Sequence, residues 1–208
     1  MRVKDMFLKN HKYFYINFII FFFVFFNQAF GNTNDRLKVL NYLSSFKNFS
    51  ASFLQSDGEE LSEGRFYIGD KRVRAEYIIP NKILIILDED KAMYYNYELE
   101  ESEFFNPKNT NAWFFYEIFS NPFFLESSSL TEKNNELILE KSGVDEENKY
   151  YLIRIHLENK PLILRKIEVF IDKEFLELSV FNHKYEEVFD EDFFALSVVI
   201  QIYKKPFF

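Results

Sequence analysis

Between residues 65 and 105 the chain follows one strict rhythm. Apolar segments at 65–69, 73–79, 82–87, 92–97 and 101–105 are separated by polar turns of two to four residues, among them Asp70-Lys71-Arg72 and Asp88-Glu89-Asp90-Lys91. Turns that short cannot carry a crossover, so successive strands must lie antiparallel, in a meander. The segment 82–87 is nearly all β-branched or Leu, which predicts burial on both of its faces.

The same reading extends in both directions. Leu37, Leu40, Leu43 and Phe46 recur at threefold spacing, which predicts a helix over 35–47 started by Thr33 or Asn34. The period then drops to two, with Phe49, Ala51 and Phe53 on one side of a strand over 49–54. Further strands are expected at 136–140, 150–157, 163–171 and 175–181, with Asp172-Lys173-Glu174 as a hairpin turn and 197–203 as a closing strand. Between the two sets, 112–119 reads as a short helix stopped by Asn121-Pro122 and apolar nearly all round, so it must be covered, or cover something apolar. The expected fold is therefore mainly β (α+β): a curved antiparallel sheet forming an incomplete barrel, with helices on one face as a lid and an apolar cavity between.

The first residues have a different character. Arg2, Lys4, Lys9 and Lys12 precede an apolar run over 13–26, and Ala29-Phe30-Gly31 closes the segment. That order predicts a signal peptide over 1–31, cleaved after Gly31, and a single exported domain over 32–208. An uncleaved anchor is the alternative, although the run is short of the ~20 residues a span needs. Without this segment the chain holds 21 basic and 32 acidic residues. Such an acid excess argues against nucleic acid. No cysteine occurs, which excludes disulfides, thiolate metal sites and a lipid-modified N-terminal cysteine, and suits a periplasm. His183 stands near Glu186, Glu187, Asp190, Glu191 and Asp192, but one histidine is too few for a metal site, and a charge run between strands reads as a solvated loop. His156 alternates with Arg154 and is expected to face water. No nucleophile–base order stands out, so neither enzyme activity nor a cofactor is expected.

One succession of residues is more specific. The helix is followed by Phe49-Ser50-Ala51-Ser52-Phe53-Leu54-Gln55, then Glu63-Gly64-Arg65-Phe66-Tyr67-Ile68, then Arg74-Ala75-Glu76-Tyr77 before Pro80, then 83–88 and Met93-Tyr94-Tyr95-Asn96. In order and spacing this resembles the periplasmic outer-membrane lipoprotein carrier family, LolA, over about residues 35–120. The resemblance implies a monomeric chaperone that shelters the acyl chains of lipoproteins in an apolar concavity. It implies loading by an inner-membrane ABC-type lipoprotein-releasing transporter and delivery to an outer-membrane lipoprotein receptor. Two features depart from the family. Its Arg-Pro pair after the F-Y-I strand is replaced by Gly69-Asp70-Lys71-Arg72, leaving Lys71 and Arg72 as candidates to fasten the lid. Its Thr-Pro before the lid helix is Thr110-Asn111 here.

Alternation then assigns the lining of that concavity. Val73, Ala75 and Tyr77 are expected inward because Arg74 and Glu76 cannot be; Phe53, Phe66 and Ile68 follow on their strands. Met93 and Tyr95 join them as expectations from a strand apolar on both faces, and Trp113, Phe114 and Phe115 from the lid. Other readings stay open: a binder or sensor of another apolar ligand on the same fold, or a membrane-anchored structural β domain whose aromatic surplus is plain core.

Overall fold

The structure is a computed structural model describing residues 33–121, 123–145 and 147–197. The expected signal peptide and residues 198–203 of the expected closing strand lie outside the described residues. Helix α1 (Thr33–Ser44) leads into β1 (Phe49–Ser56), β2 (Leu61–Gly69), β3 (Arg72–Ile79), β4 (Ile83–Leu87), β5 (Ala92–Asn96) and β6 (Glu101–Phe105). A 3-10 turn (Pro107–Asn109) and helix α2 (Ala112–Ser120) follow. The chain then runs through β7 (Ser129–Lys133), β8 (Glu136–Val144), β9 (Tyr150–Glu158), β10 (Ile163–Ile171) and β11 (Glu174–Lys184).

Among the described residues eleven strands form one antiparallel sheet in the order β6-β5-β4-β3-β2-β1-β11-β10-β9-β8-β7. Two meanders, β1–β6 and β7–β11, are thus joined edge to edge where β1 meets β11. Edges β6 and β7 do not pair with each other, so the curved sheet is an incomplete barrel. Tight turns set the register: Asp70 and Lys71 both adopt left-handed φ, 50° and 56°, as a two-residue hairpin with the native twist requires.

The period-2 pattern sorts each strand's residues between two faces. On the inner face Phe49 and Phe53 of β1, Phe66 and Ile68 of β2, and Ile153, Ile155 and Leu157 of β9 share one buried cluster. Val39 and Leu43 of α1, the following Phe46, and Phe114 and Ile118 of α2 complete it. Each such side chain contributes about 1.5–3 kcal/mol by leaving water. Tyr42 of α1 ties that helix down, its hydroxyl accepting from the Leu164 amide at 3.1 Å.

The outer face departs from expectation. Arg74 and Glu76 do point away from the inner side, but they are only 1% and 2% exposed. The segment 189–196 lies over them: Phe189, Phe193 and Phe194 pack with Tyr67, and Leu196 packs on Leu84, Ile86, Met93 and Tyr95. Arg74 Nε donates to Glu76 Oε1 at 2.8 Å, its Nη1 donates to the Phe193 carbonyl at 2.7 Å, and the guanidinium sits 4.4 Å from the Phe193 ring centroid. A buried charge needs such partners to be tolerated. Strand β4 is accordingly buried on both faces, as its composition predicts.

Over β8–β11 the outer face instead carries a charged ladder, with Arg154 on Glu140 at 2.8 Å and Lys166 near Glu168 and Glu177. His156 lies within this ladder rather than in open water. It is 8% exposed, with Nδ1 2.8 Å from Glu136 and Nε2 3.3 Å from Glu168. Burial would raise the Glu168 pKa, but Lys166 and His156 hold it below its ordinary value.

Candidate functional site

An apolar hollow of about 220 Å³ lies between the inner face of the sheet and α2. Its floor comes from neighbouring strands at matched register: Phe53 of β1, Phe66 of β2, Val73, Ala75 and Tyr77 of β3, and Ile85 and Leu87 of β4. Leu176 and Leu178 of β11 close one flank. The roof is Ala112, Phe115 and Phe119, spaced so that all three fall on one side of α2.

The rest of that helix explains why it is apolar nearly all round. Phe114 and Ile118 enter the main core, while Tyr116 packs with Val73, Leu87 and Ala92. Glu117 is the exception: it is buried, its carboxylate accepts from Asn121 Nδ2 at 2.8 Å, and burial raises its pKa above the usual carboxylate range.

Among the described residues only two that line the hollow carry polar side chains, Gln55 and Tyr77, and they satisfy each other. The Tyr77 hydroxyl donates to Gln55 Oε1 at 2.8 Å. Burial pushes the Tyr77 pKa up to about 12, so the hydroxyl keeps its proton at any physiological pH. Among the described residues no charged one lines the hollow. Gly64 makes room for its rings: a Cβ there would collide with Phe53 and the Glu76 carbonyl, and across it Phe53 and Tyr77 meet edge to face at 5.1 Å.

The expected lining residues separate into groups. Phe53, Phe66, Val73, Tyr77 and Phe115 border the hollow. Ile68 is on the same face but lines a second groove, of about 580 Å³, beyond Phe119. Met93 and Tyr95 turn to the outer face under Leu196, because the strand is apolar on both sides and alternation alone cannot choose. Trp113 stacks on Tyr116 at 5.1 Å and borders a polar hollow with Lys108, Asn109, Thr110 and Asn111. Among the described residues the bonded partners of Arg72 are Asp88 and Asp70, in turns rather than in a helix. Its Nε donates to Asp88 at 2.7 Å, tying the β2–β3 turn to the β4–β5 turn and holding the Asp88 pKa below its ordinary value against the opposing effect of burial. Lys71 lines the second groove. His183 is part-buried, with Nε2 donating to the Leu164 carbonyl at 2.8 Å, and burial lowers its pKa.

Sequence reasoning missed Ile85, Leu87, Leu176, Leu178 and Phe119 as lining residues. Their signal was present in part: Leu176 and Leu178 alternate on one strand, and Phe119 follows Ala112 and Phe115 at helical spacing.

No family model matches the chain, and no curated protein matches it. Solved structures do resemble it. An uncharacterized conserved protein from Thermus thermophilus is 12% identical over 76% of this chain and 90% of its own, with a TM-score of 0.49. The MucA/MucB complex of Pseudomonas aeruginosa gives 10% identity and a TM-score of 0.45, covering 80% of this chain and 62% of the matched one. LprF from Mycobacterium bovis gives 7% identity and a TM-score of 0.36, covering 74% and 95%.

Proposed function

We propose that this chain is an exported carrier that shelters acyl chains from water, its cargo being the lipid-bearing ends of lipoproteins. The observation that carries this reading is the hollow of about 220 Å³ under α2, uncharged and with its two polar side chains bonded to each other. Such a hollow gains nothing from binding a polar ligand and much from binding hydrocarbon. Each buried methylene is worth about 0.8 kcal/mol, so a chain of ~14 methylenes costs about 11 kcal/mol to leave in water. Lipoproteins as cargo, transit from inner to outer membrane, an ABC-type transporter as loader and a lipoprotein receptor as acceptor are supported by the motif succession over 35–120. A periplasmic location is supported by the basic, apolar and small-residue order of 1–31.

A second reading, a binder of another single-chain lipid, is favoured by size. The hollow is smaller than the roughly 300–1,000 Å³ of sites that engulf a whole ligand, so several chains enter only after α2 moves away from the sheet.

The test is displacement of the neutral dye N-phenyl-1-naphthylamine by acyl lipids. Ala75→Leu, which fills the hollow from β3, is expected to lose dye and lipid binding while the fold persists; normal binding by that variant sinks the proposal. Depletion in the host separates the two readings: lipoproteins accumulate at the inner membrane only if they are the cargo.

A further inference from the structure

The groove beyond Phe119 has a chemistry of its own. It opens between the end of α1, the β2–β3 turn and the end of α2, and encloses about 580 Å³. Its floor is apolar: Phe46, Ile68, Ile118 and Phe119. Two exposed cations stand on its rim, Lys47 and Lys71. Among the described residues neither lysine joins an ion pair, and Asp70 beside them is drawn toward Arg72 at 3.4 Å. Cations at the polar hollow near Trp113 are differently placed, since Lys108 is held by Asp90 at 2.9 Å and Lys149 by Glu147 at 2.7 Å. In a chain of net charge −8, two uncommitted lysines over a greasy floor mark this groove out.

Phe119 is the partition between this groove and the inner hollow, since it lines both. It is the penultimate residue of α2, half-buried, and rests on Phe66 at 5.6 Å and Phe46 at 6.0 Å between ring centroids. It also packs against the main core and the Val73–Leu87–Tyr116 cluster, and all of these contacts are apolar, so rotation about its side-chain bonds would join the two spaces without breaking a hydrogen bond of the sheet.

We infer that the groove takes the anionic end of a single-chain amphiphile, with Lys47 and Lys71 contacting its phosphate or carboxylate and its hydrocarbon chain running past Phe119 into the inner hollow. This rests on the second reading above, a binder of a single-chain lipid in the inner hollow, and adds to it the charge and place of the ligand's polar end. The physical reason is exclusion. A charged head group cannot enter a hollow with no charged lining, because it would lose its hydration without a partner. It must stay at an opening, and this opening supplies the matching charge.

The experiment compares lysophosphatidylglycerol with a neutral monoacylglycerol of the same chain length as displacers of N-phenyl-1-naphthylamine at low salt. The expected result is a preference of about 3- to 10-fold for the anionic lipid, the size that two exposed charge pairs provide. Lys47→Gln with Lys71→Gln should bring the ratio close to one, as should high salt. A fatty acid of the same length should share the preference, and inorganic phosphate alone should displace nothing. Phe119→Trp should weaken a long-chain lysolipid more than a short-chain one. Equal displacement by both lipids overturns the inference and leaves the acyl-chain reading standing; no displacement by either overturns both. Should the double lysine variant keep its lysolipid preference but lose binding to phosphatidylglycerol vesicles, the lysines face a membrane surface and the inference fails.

Discussion

Strand β3 has two faces, and they use aromatic residues in opposite ways. On the outer side Phe193 meets Tyr67 edge to face at 5.0 Å and stacks on Phe189 at 4.9 Å, and the rings seal the Arg74–Glu76 pair from water. On the inner side Phe53, Phe66, Phe115 and Tyr77 stand around an unfilled hollow. A surplus of rings therefore has no single meaning in this chain. Where a polar pair must be dried, rings pack tightly; where they share a lining with Val73, Ala75, Ile85 and Leu87, a hollow remains between them.

This contrast can be broken from either side. The largest effect is expected at Arg74→Ala, which leaves Glu76 buried without its cation and should cost about 3–5 kcal/mol, seen in urea unfolding. Replacing both, Arg74→Met with Glu76→Leu, should recover most of it. Phe193→Ala comes next at about 3 kcal/mol, because it opens a void above that pair. Phe115→Ala, the same truncation beside space that already exists, should cost only ~1–2 kcal/mol. Equal costs at the two phenylalanines would mean that the inner side is as tightly filled as the outer. Ala75→Leu should change stability by less than ~1 kcal/mol while removing dye binding.

The smallest effect concerns Glu117, whose pKa burial raises in the fold. The folded state then holds a proton that the unfolded chain has released, between the ordinary carboxylate value and the raised one. Stability from this group is present at low pH and falls as pH rises through that window. Glu117→Gln should flatten that slope and raise the unfolding midpoint at pH 7 by up to ~2 °C.

Much of the sheet was legible because turns and period coincide: β6 and β10 fall where the pattern places them, and β4 begins one residue later. Strand β7 was not, since Ser129-Leu130-Thr131-Glu132-Lys133 is an edge strand with almost no apolar residue to mark a face. The expected strand over 136–140 stops four residues short of the end of β8, because Lys141-Ser142-Gly143 is polar and small; Tyr151 packs against Gly143 and leaves no room for a side chain. Alternation sorted Val73, Tyr77, Arg74 and Glu76 to the correct faces, and then misled. It reports which side a residue is on, not what covers that side, and the cover over Arg74 is supplied by Phe193, 119 residues further along the chain. The inner hollow was legible on β1–β3 for the same reason that it was obscure on β5: a polar residue at every second position is what makes alternation readable.

The seam between the two meanders has a consequence for how the chain comes into being. Ser52 of β1 faces Arg65 on one side and Phe181 on the other, so the middle of the sheet stays unzipped until β11 has been synthesised. Such non-local closure slows folding. A ribosome that stalls before β11 would release a product with a bare, hydrogen-bond-hungry strand at its centre, an invitation to clump rather than a half-working molecule.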